Sequence, residues 1–136
     1  MSLHTGKILE ILITSDPKEK VLEEVWKYLE QRAKSKEQKA KIGTKPLIIV
    51  TPNPEQIVYS TRDHHFAEIL NRADVAIPDG AGIVWASRLL VPPGVPERIP
   101  GVEFMENLVA IAAGRGVRVA LIGVRAGLAV KAFDCL

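Results

Sequence analysis

Apolar side chains fall in short runs separated by polar, proline and glycine clusters, and the runs alternate between two spacings. Ile8, Leu9, Ile11, Leu12 and Ile13 form a compact run that predicts a strand, stopped by Thr14-Ser15-Asp16-Pro17. Val21, Leu22, Val25, Trp26 and Leu29 then recur at helical spacing and predict a helix over residues 18–33. Asp16 and Glu19 stand at capping-box spacing, with Pro17 suited to the first helical position. Leu47-Ile48-Ile49-Val50 is apolar at every position, as in a parallel strand covered on both faces. Thr51-Pro52-Asn53-Pro54 ends it, with Asn53 as N-cap and Pro54 as first residue of a helix carrying Ile57 and Val58. A further helix is expected over 63–73, with Phe66, Ile69 and Leu70 inward, followed by a strand at Val75-Ala76-Ile77. Pro78-Asp79-Gly80-Ala81-Gly82 turns into a helix containing Ile83, Val84, Trp85 and Leu89. Four prolines and two glycines between Leu90 and Gly101 predict a rigid irregular loop. Phe104, Met105, Leu108, Val109 and Ala112 mark another helix, residues 114–116 a turn, 117–122 a fourth strand, and 128–133 the start of a last helix.

Strands that alternate with helices predict an α/β, Rossmann-like fold: a mostly parallel sheet with helices on both faces, joined by right-handed crossovers. Such sheets bind ligands beyond the carboxyl ends of their strands, which selects the loops at 51–54, 79–82 and 123–127. The length, 136 residues with 47% hydrophobic positions, fits one domain over 7–136. Residues 1–6 are expected to be an expression remnant or a disordered start. The pattern breaks off at Leu136 without a helix-stop signal, as if the architecture were truncated.

Charge and composition exclude several classes of function. A formal charge of +2 gives no basic field, so no nucleic-acid partner is expected. The single cysteine, Cys135, excludes an internal disulfide and a cysteine-based zinc site. No apolar run approaches the length of a membrane span, and a cytoplasmic setting is expected, with the inner face of the cell membrane as a peripheral site. Six basic residues against one acidic residue between Gln31 and Lys45 form a Lys-rich loop or helix end; a solvated surface is the ordinary reading and anionic headgroups the sharper one.

Asp79 is the leading candidate for chemistry, since it follows a buried strand and precedes Gly80 and Gly82, which let a ligand approach the backbone. A helix-capping aspartate is the plain alternative, and a cap would lower its pKa and weaken it as a base. Thr51 and Asn53 offer a hydroxyl and an amide to a sugar or phosphate, with capping again the alternative. Arg98 could clamp a phosphate or pair with Glu97 or another acid. His64 and His65 diverge on a helix and do not suggest a metal site. The loop from Gly123 to Gly127 could receive a phosphate but holds neither G-x-G-x-x-G nor a P-loop lysine, which weakens nicotinamide and NTP chemistry.

The ordered set Thr51-Pro52-Asn53, Ile77-Pro78-Asp79-Gly80-x-Gly82-Ile83-Val84, Glu97-Arg98-x-x-Gly101 and Val119-x-Leu121-Ile122-Gly123 resembles the WecG/TagA/CpsF family of bacterial glycosyltransferases. The resemblance implies transfer of N-acetylmannosamine or a related sugar from a UDP-sugar donor. The implied acceptor is a polyprenyl-diphosphate-linked N-acetylglucosamine at the membrane surface, in teichoic-acid, capsule or other surface-polysaccharide synthesis. It implies inversion without metal or cofactor, with Asp79 as general base, Thr51 and Asn53 lining the sugar pocket, Arg98 near the leaving or acceptor diphosphate, and Gly80, Gly82 and Gly123 among the substrate-binding residues. Family domains continue into a second half that supplies much of the nucleotide site, so the chain corresponds to the N-terminal portion and activity of that portion alone is not implied. A non-catalytic sugar-nucleotide-binding or assembly fragment of the same fold is the alternative. Uncovered apolar helix faces predict a homo-oligomer.

Overall fold

A computed structural model of the chain describes residues 1–37, 46–122 and 131. The chain divides into two compact units, Met1–Gly101 and Val102–Leu136.

In the first unit the apolar run at 8–13 is not one strand but the two arms of a hairpin. Strands β1 (Thr5–Ile8) and β2 (Ile11–Thr14) pair antiparallel with Ile8 opposite Ile11 and Thr5 opposite Thr14. A dense apolar run hides its periodicity until the turn is located; here Ile8, Ile11 and Ile13 are buried while Leu9 and Leu12 are about half exposed. Residues 1–6, expected to stand outside the fold, enter it: Thr5 and Gly6 belong to β1, and the Ser2 amide donates to Glu24. The Asn71 side chain braces the hairpin, accepting from the Leu12 amide at 3.0 Å and donating to the Glu10 carbonyl at 2.8 Å.

Helix α1 (Lys18–Glu37) continues beyond the expected residue 33. The capping box expected at Asp16 does not form, because that carboxylate is engaged by His4 and Lys20 instead. Strand β3 (Ile49–Val50) leads through the 51–53 turn to α2 (Pro54–Ser60), then α3 (His64–Asn71), and the parallel partner strand β4 (Val75–Ala76). Asn53 caps α2 as the sequence predicts, in a reciprocal box with Gln56, and Asp63 caps α3. On α3, Ala67 and Leu70 face inward, but Ile69, expected inside, is 48% exposed. Ala67 and Leu70, three positions apart, set the inward face, and at about 100° per residue Ile69 falls outside it. Helix α4 (Ala81–Leu90) buries Ile83, Val84 and Ser87. The core joins Ile8, Ile11 and Ile13 of the hairpin to Ile57, Leu70, Ala76, Ile83 and Val95. Each fully buried isoleucine contributes roughly 1.5–3 kcal/mol.

The α/β class holds, realised among the described residues as one antiparallel hairpin and one two-stranded parallel pair. The loop after α4 is irregular, as its prolines require, and is pinned by Val95 and Ile99, both buried. Helix α5 (Gly101–Gly114) begins at the boundary of the second unit and ends in a turn at Gly116, whose φ is +64°. Residues 117–122, expected as a fourth strand, join no ladder among the described residues, and Val117, Val119 and Ile122 are exposed. The Lys-rich stretch at 38–45, the Gly123–Gly127 loop, the helix at 128–133 apart from Lys131, and Cys135 lie outside the described residues. Among the described residues no helix is long and apolar enough to cross a membrane.

Candidate active site at the carboxyl ends of the parallel strands

Hydrogen bonding continues past the ends of β3 and β4 and draws two loops side by side. The Ile77 amide donates to the Val50 carbonyl at 2.8 Å, and the Asp79 amide to the Pro52 carbonyl at 3.2 Å. Pro52 and Pro78 are fully buried beneath this corner. With φ restricted at both prolines, the residues that follow them, Asn53 and Asp79, leave the core on defined courses. A third segment joins from the proline-rich loop, where the Ile99 amide donates to the Pro78 carbonyl at 2.9 Å.

Asp79 is therefore bordered by two other segments of chain. Its Oδ2 accepts from the Gly101 amide at 3.2 Å, and its Oδ1 lies 3.7 Å from Arg98 Nε. The second distance is an ion pair rather than a hydrogen bond. The Asp79 side chain is 30% exposed and the Arg98 side chain 54%, so both charged groups reach solvent from a partly covered position. The local-capping alternative for Asp79 does not hold: Gly80 is the N-cap of α4, and no side chain caps that helix. The pairing of Arg98 with Glu97 does not hold either, since Arg98 faces Asp79 while Glu97 accepts from the Lys18 amide at 2.9 Å.

Thr51 is exposed and lies against Gly101, where a Cβ would come within 3.0 Å of the threonine Oγ1. Asn53 uses its side-chain oxygen on the Gln56 amide at 2.9 Å, and the Gln56 side chain returns a bond to the Asn53 amide. Capping thus consumes the oxygen of Asn53 and leaves its NH2 for other partners. Gly80 and Gly82 are small for an internal reason: a Cβ at either would meet the Pro54 ring at 2.8 and 2.9 Å. Gly80 also has φ +132°, which side-chain-bearing residues rarely adopt. The first turn of α2 and the first turn of α4 are in this way locked together next to Asp79.

Of the residues singled out in the sequence, Thr51, Asn53, Asp79, Gly80, Gly82 and Arg98 meet at one corner, and Gly123 lies outside the described residues. Glu97 and Gly101 stand in the sequence motif around Arg98, but the pattern does not signal the bond of the Gly101 amide to Asp79 or that of Glu97 to Lys18. The available signal was a glycine three positions after Arg98, opening an amphipathic run. His64 and His65 are exposed on α3, and among the described residues no group of three His, Cys, Asp or Glu side chains could hold a metal ion. The corner can hold a carboxylate, a guanidinium, a hydroxyl and backbone N–H groups around a polar, phosphate-bearing ligand.

Comparison with known proteins gives this corner a context. Over 81 residues the chain is 40% identical to the N-acetylglucosaminyldiphosphoundecaprenol N-acetyl-beta-D-mannosaminyltransferases of Staphylococcus aureus strains NCTC 8325, COL and N315. That stretch is 60% of this chain and 32% of each relative, so the chain spans about a third of the length of the curated relatives it matches. The profile of the glycosyl transferase WecG/TagA/CpsF family matches residues 16–136. Every segment that meets at Asp79 falls inside that match, and the chain belongs to the WecG/TagA/CpsF family of glycosyl transferases.

Proposed function

We propose that the chain carries the acceptor-activating part of an inverting glycosyltransferase. It would move N-acetylmannosamine or a related sugar from a UDP-sugar to a polyprenyl-diphosphate-linked N-acetylglucosamine. The observation that carries this reading is the convergence of segments 51–54, 78–82 and 97–101 on Asp79, with Arg98 3.7 Å from its carboxylate. The name of the staphylococcal relatives, an N-acetylglucosaminyldiphosphoundecaprenol N-acetyl-beta-D-mannosaminyltransferase, supports the lipid-linked acceptor and the mannosaminyl group.

Asp79 takes the proton from the acceptor hydroxyl as that oxygen attacks the anomeric carbon. The new C–O bond forms while the bond to the diphosphate breaks, and UDP leaves with the electron pair. One carboxylate oxygen held by the Gly101 amide fixes the group in place, and the lone pairs that remain can accept the proton. Arg98 and backbone amides offset charge on the diphosphate, so the step needs neither metal nor cofactor. Thr51 and the Asn53 NH2 hold sugar hydroxyls. The acceptor is met at the membrane surface.

Asp79→Asn is the direct test, because asparagine keeps an acceptor for the Gly101 amide while removing the base and, with it, the charge that faces Arg98. Transfer from UDP-N-acetylmannosamine to a short-chain diphosphate-linked N-acetylglucosamine should fall about 10²–10⁴-fold. Thermal stability should stay near wild type. A variant that transfers at the wild-type rate removes Asp79 from the role. Calorimetric binding of UDP by a chain that transfers nothing would support a sugar-nucleotide-binding module instead.

A further inference from the structure

Segment 97–101 brings both Arg98 and the Gly101 amide to Asp79, yet it belongs to no strand and follows a run of prolines. Its course is fixed by bonds to other parts of the fold. The Ile99 amide is held by the Pro78 carbonyl at 2.9 Å, and the Gly101 amide by Asp79 at 3.2 Å. At its start, Glu97 Oε1 accepts from the Lys18 amide at 2.9 Å, across 79 positions of sequence.

Lys18 is the first residue of α1, and its amide has no intrahelical carbonyl to bond. The expected local cap, Asp16, is committed to His4 and Lys20. One of the orphan donors of α1 is therefore satisfied by Glu97, immediately before the arginine that faces the candidate base.

We propose that Glu97 is a positioning residue: anchored on the first turn of α1, it sets the course of residues 97–101 and so holds the Arg98 guanidinium beside Asp79. The inference rests on the glycosyltransferase reading only for what Arg98 does once it is placed. Glu97 itself touches no substrate. It acts by keeping the cation and the carboxylate at a fixed spacing, which a loop without an anchor would not maintain.

Amide exchange followed by NMR on the whole chain tests the anchor without any activity. Loss of a capping bond raises local opening about five- to tenfold, so Glu97→Ala should speed exchange at Ile99 and Gly101 by that factor. Ile77, bonded to Val50 on the far side of the corner, should exchange as in wild type. Glu97→Gln keeps an oxygen acceptor and should restore slow exchange. In the transfer assay Glu97→Ala should lower kcat about tenfold or more. Glu97→Ala combined with Arg98→Ala should be no worse than Arg98→Ala alone, which a generally destabilising change would not produce. Unchanged exchange at Ile99 and Gly101, or losses from the two substitutions that multiply, would overturn the proposal. The exchange readout needs no turnover, so it decides the role of Glu97 even where Asp79→Asn leaves transfer unchanged and the glycosyltransferase reading fails.

Discussion

Asp16 is buried, and its Oδ1 lies 2.9 Å from His4 Nδ1 and 2.8 Å from Lys20 Nζ, while its Oδ2 accepts from the His4 amide. Burial pushes the carboxyl upward, but the bonds from Lys20 and His4 and the Lys20 charge outweigh it and hold the pKa down at about 2. A carboxyl whose folded pKa lies below its ordinary 3.8 adds stability that is fully present above that value and is lost as the pH falls through 2. At 1.36 kcal/mol per unit, the contribution is on the order of 2 kcal/mol. Asp16→Asn should therefore lower the unfolding free energy by about 1–2 kcal/mol at neutral pH, with the deficit shrinking between about pH 4 and pH 2. Urea titrations of both proteins across that range measure it, and a deficit independent of pH would refute the ion-pair account. Asp16 also marks where sequence reading stops at this scale. Asn53 and its partner Gln56 are three residues apart, so their cap is legible, whereas the His4 partner of Asp16 lies 12 residues away, just before β1, in a segment the pattern leaves outside the fold.

Elements were legible where one face alone decides them and obscure where a turn interrupts an apolar run. The helices α2, α4 and α5 carry their apolar positions openly in sequence, and each forms around the positions that predict it. The β1–β2 turn lacks every ordinary signal, since Leu9 and Glu10 occupy its two central positions. Leu9 has φ +52°, as the first central residue of a type II′ turn requires, and glycine is the residue suited to it. A leucine there bears backbone strain without burying its side chain, which is 48% exposed. Leu9→Gly relieves roughly 1–2 kcal/mol of strain against about 0.4–1 kcal/mol of added unfolded-chain entropy, so stability should rise by up to about 1 kcal/mol, seen as a higher midpoint in thermal or urea unfolding. Destabilisation by the substitution would mean that the leucine packs more productively than its exposure indicates. The candidate site was legible because strand ends in a parallel sheet converge by construction of the fold. Glu97 and Gly101 were not, because a proline-rich loop has no period from which a long-range contact could be read.

On the scale of the whole molecule, the outward face of α4 raises the question of what covers it. Ile83, Val84 and Ser87 turn inward, leaving Trp85 72%, Leu89 82% and Leu90 54% exposed along the same helix. Trp85 and Leu89 are one turn apart and so lie side by side, with the Arg88 guanidinium 6.0 Å from the indole centroid. Scattered apolar residues on a surface are ordinary, but a large aromatic and two leucines on adjacent turns form a patch that favours self-association. The chain is therefore predicted to form homo-oligomers through α4. Light scattering over a concentration series should give a mass above that of one chain, and Leu89→Glu should shift it to the monomer without loss of helicity. Fluorescence supplies an independent readout: of the two tryptophans, Trp26 is buried at 8% exposure, so a change in emission on dilution reports chiefly on Trp85. A single-chain mass at every concentration, with emission unaffected by dilution, would show that the α4 face stays in water.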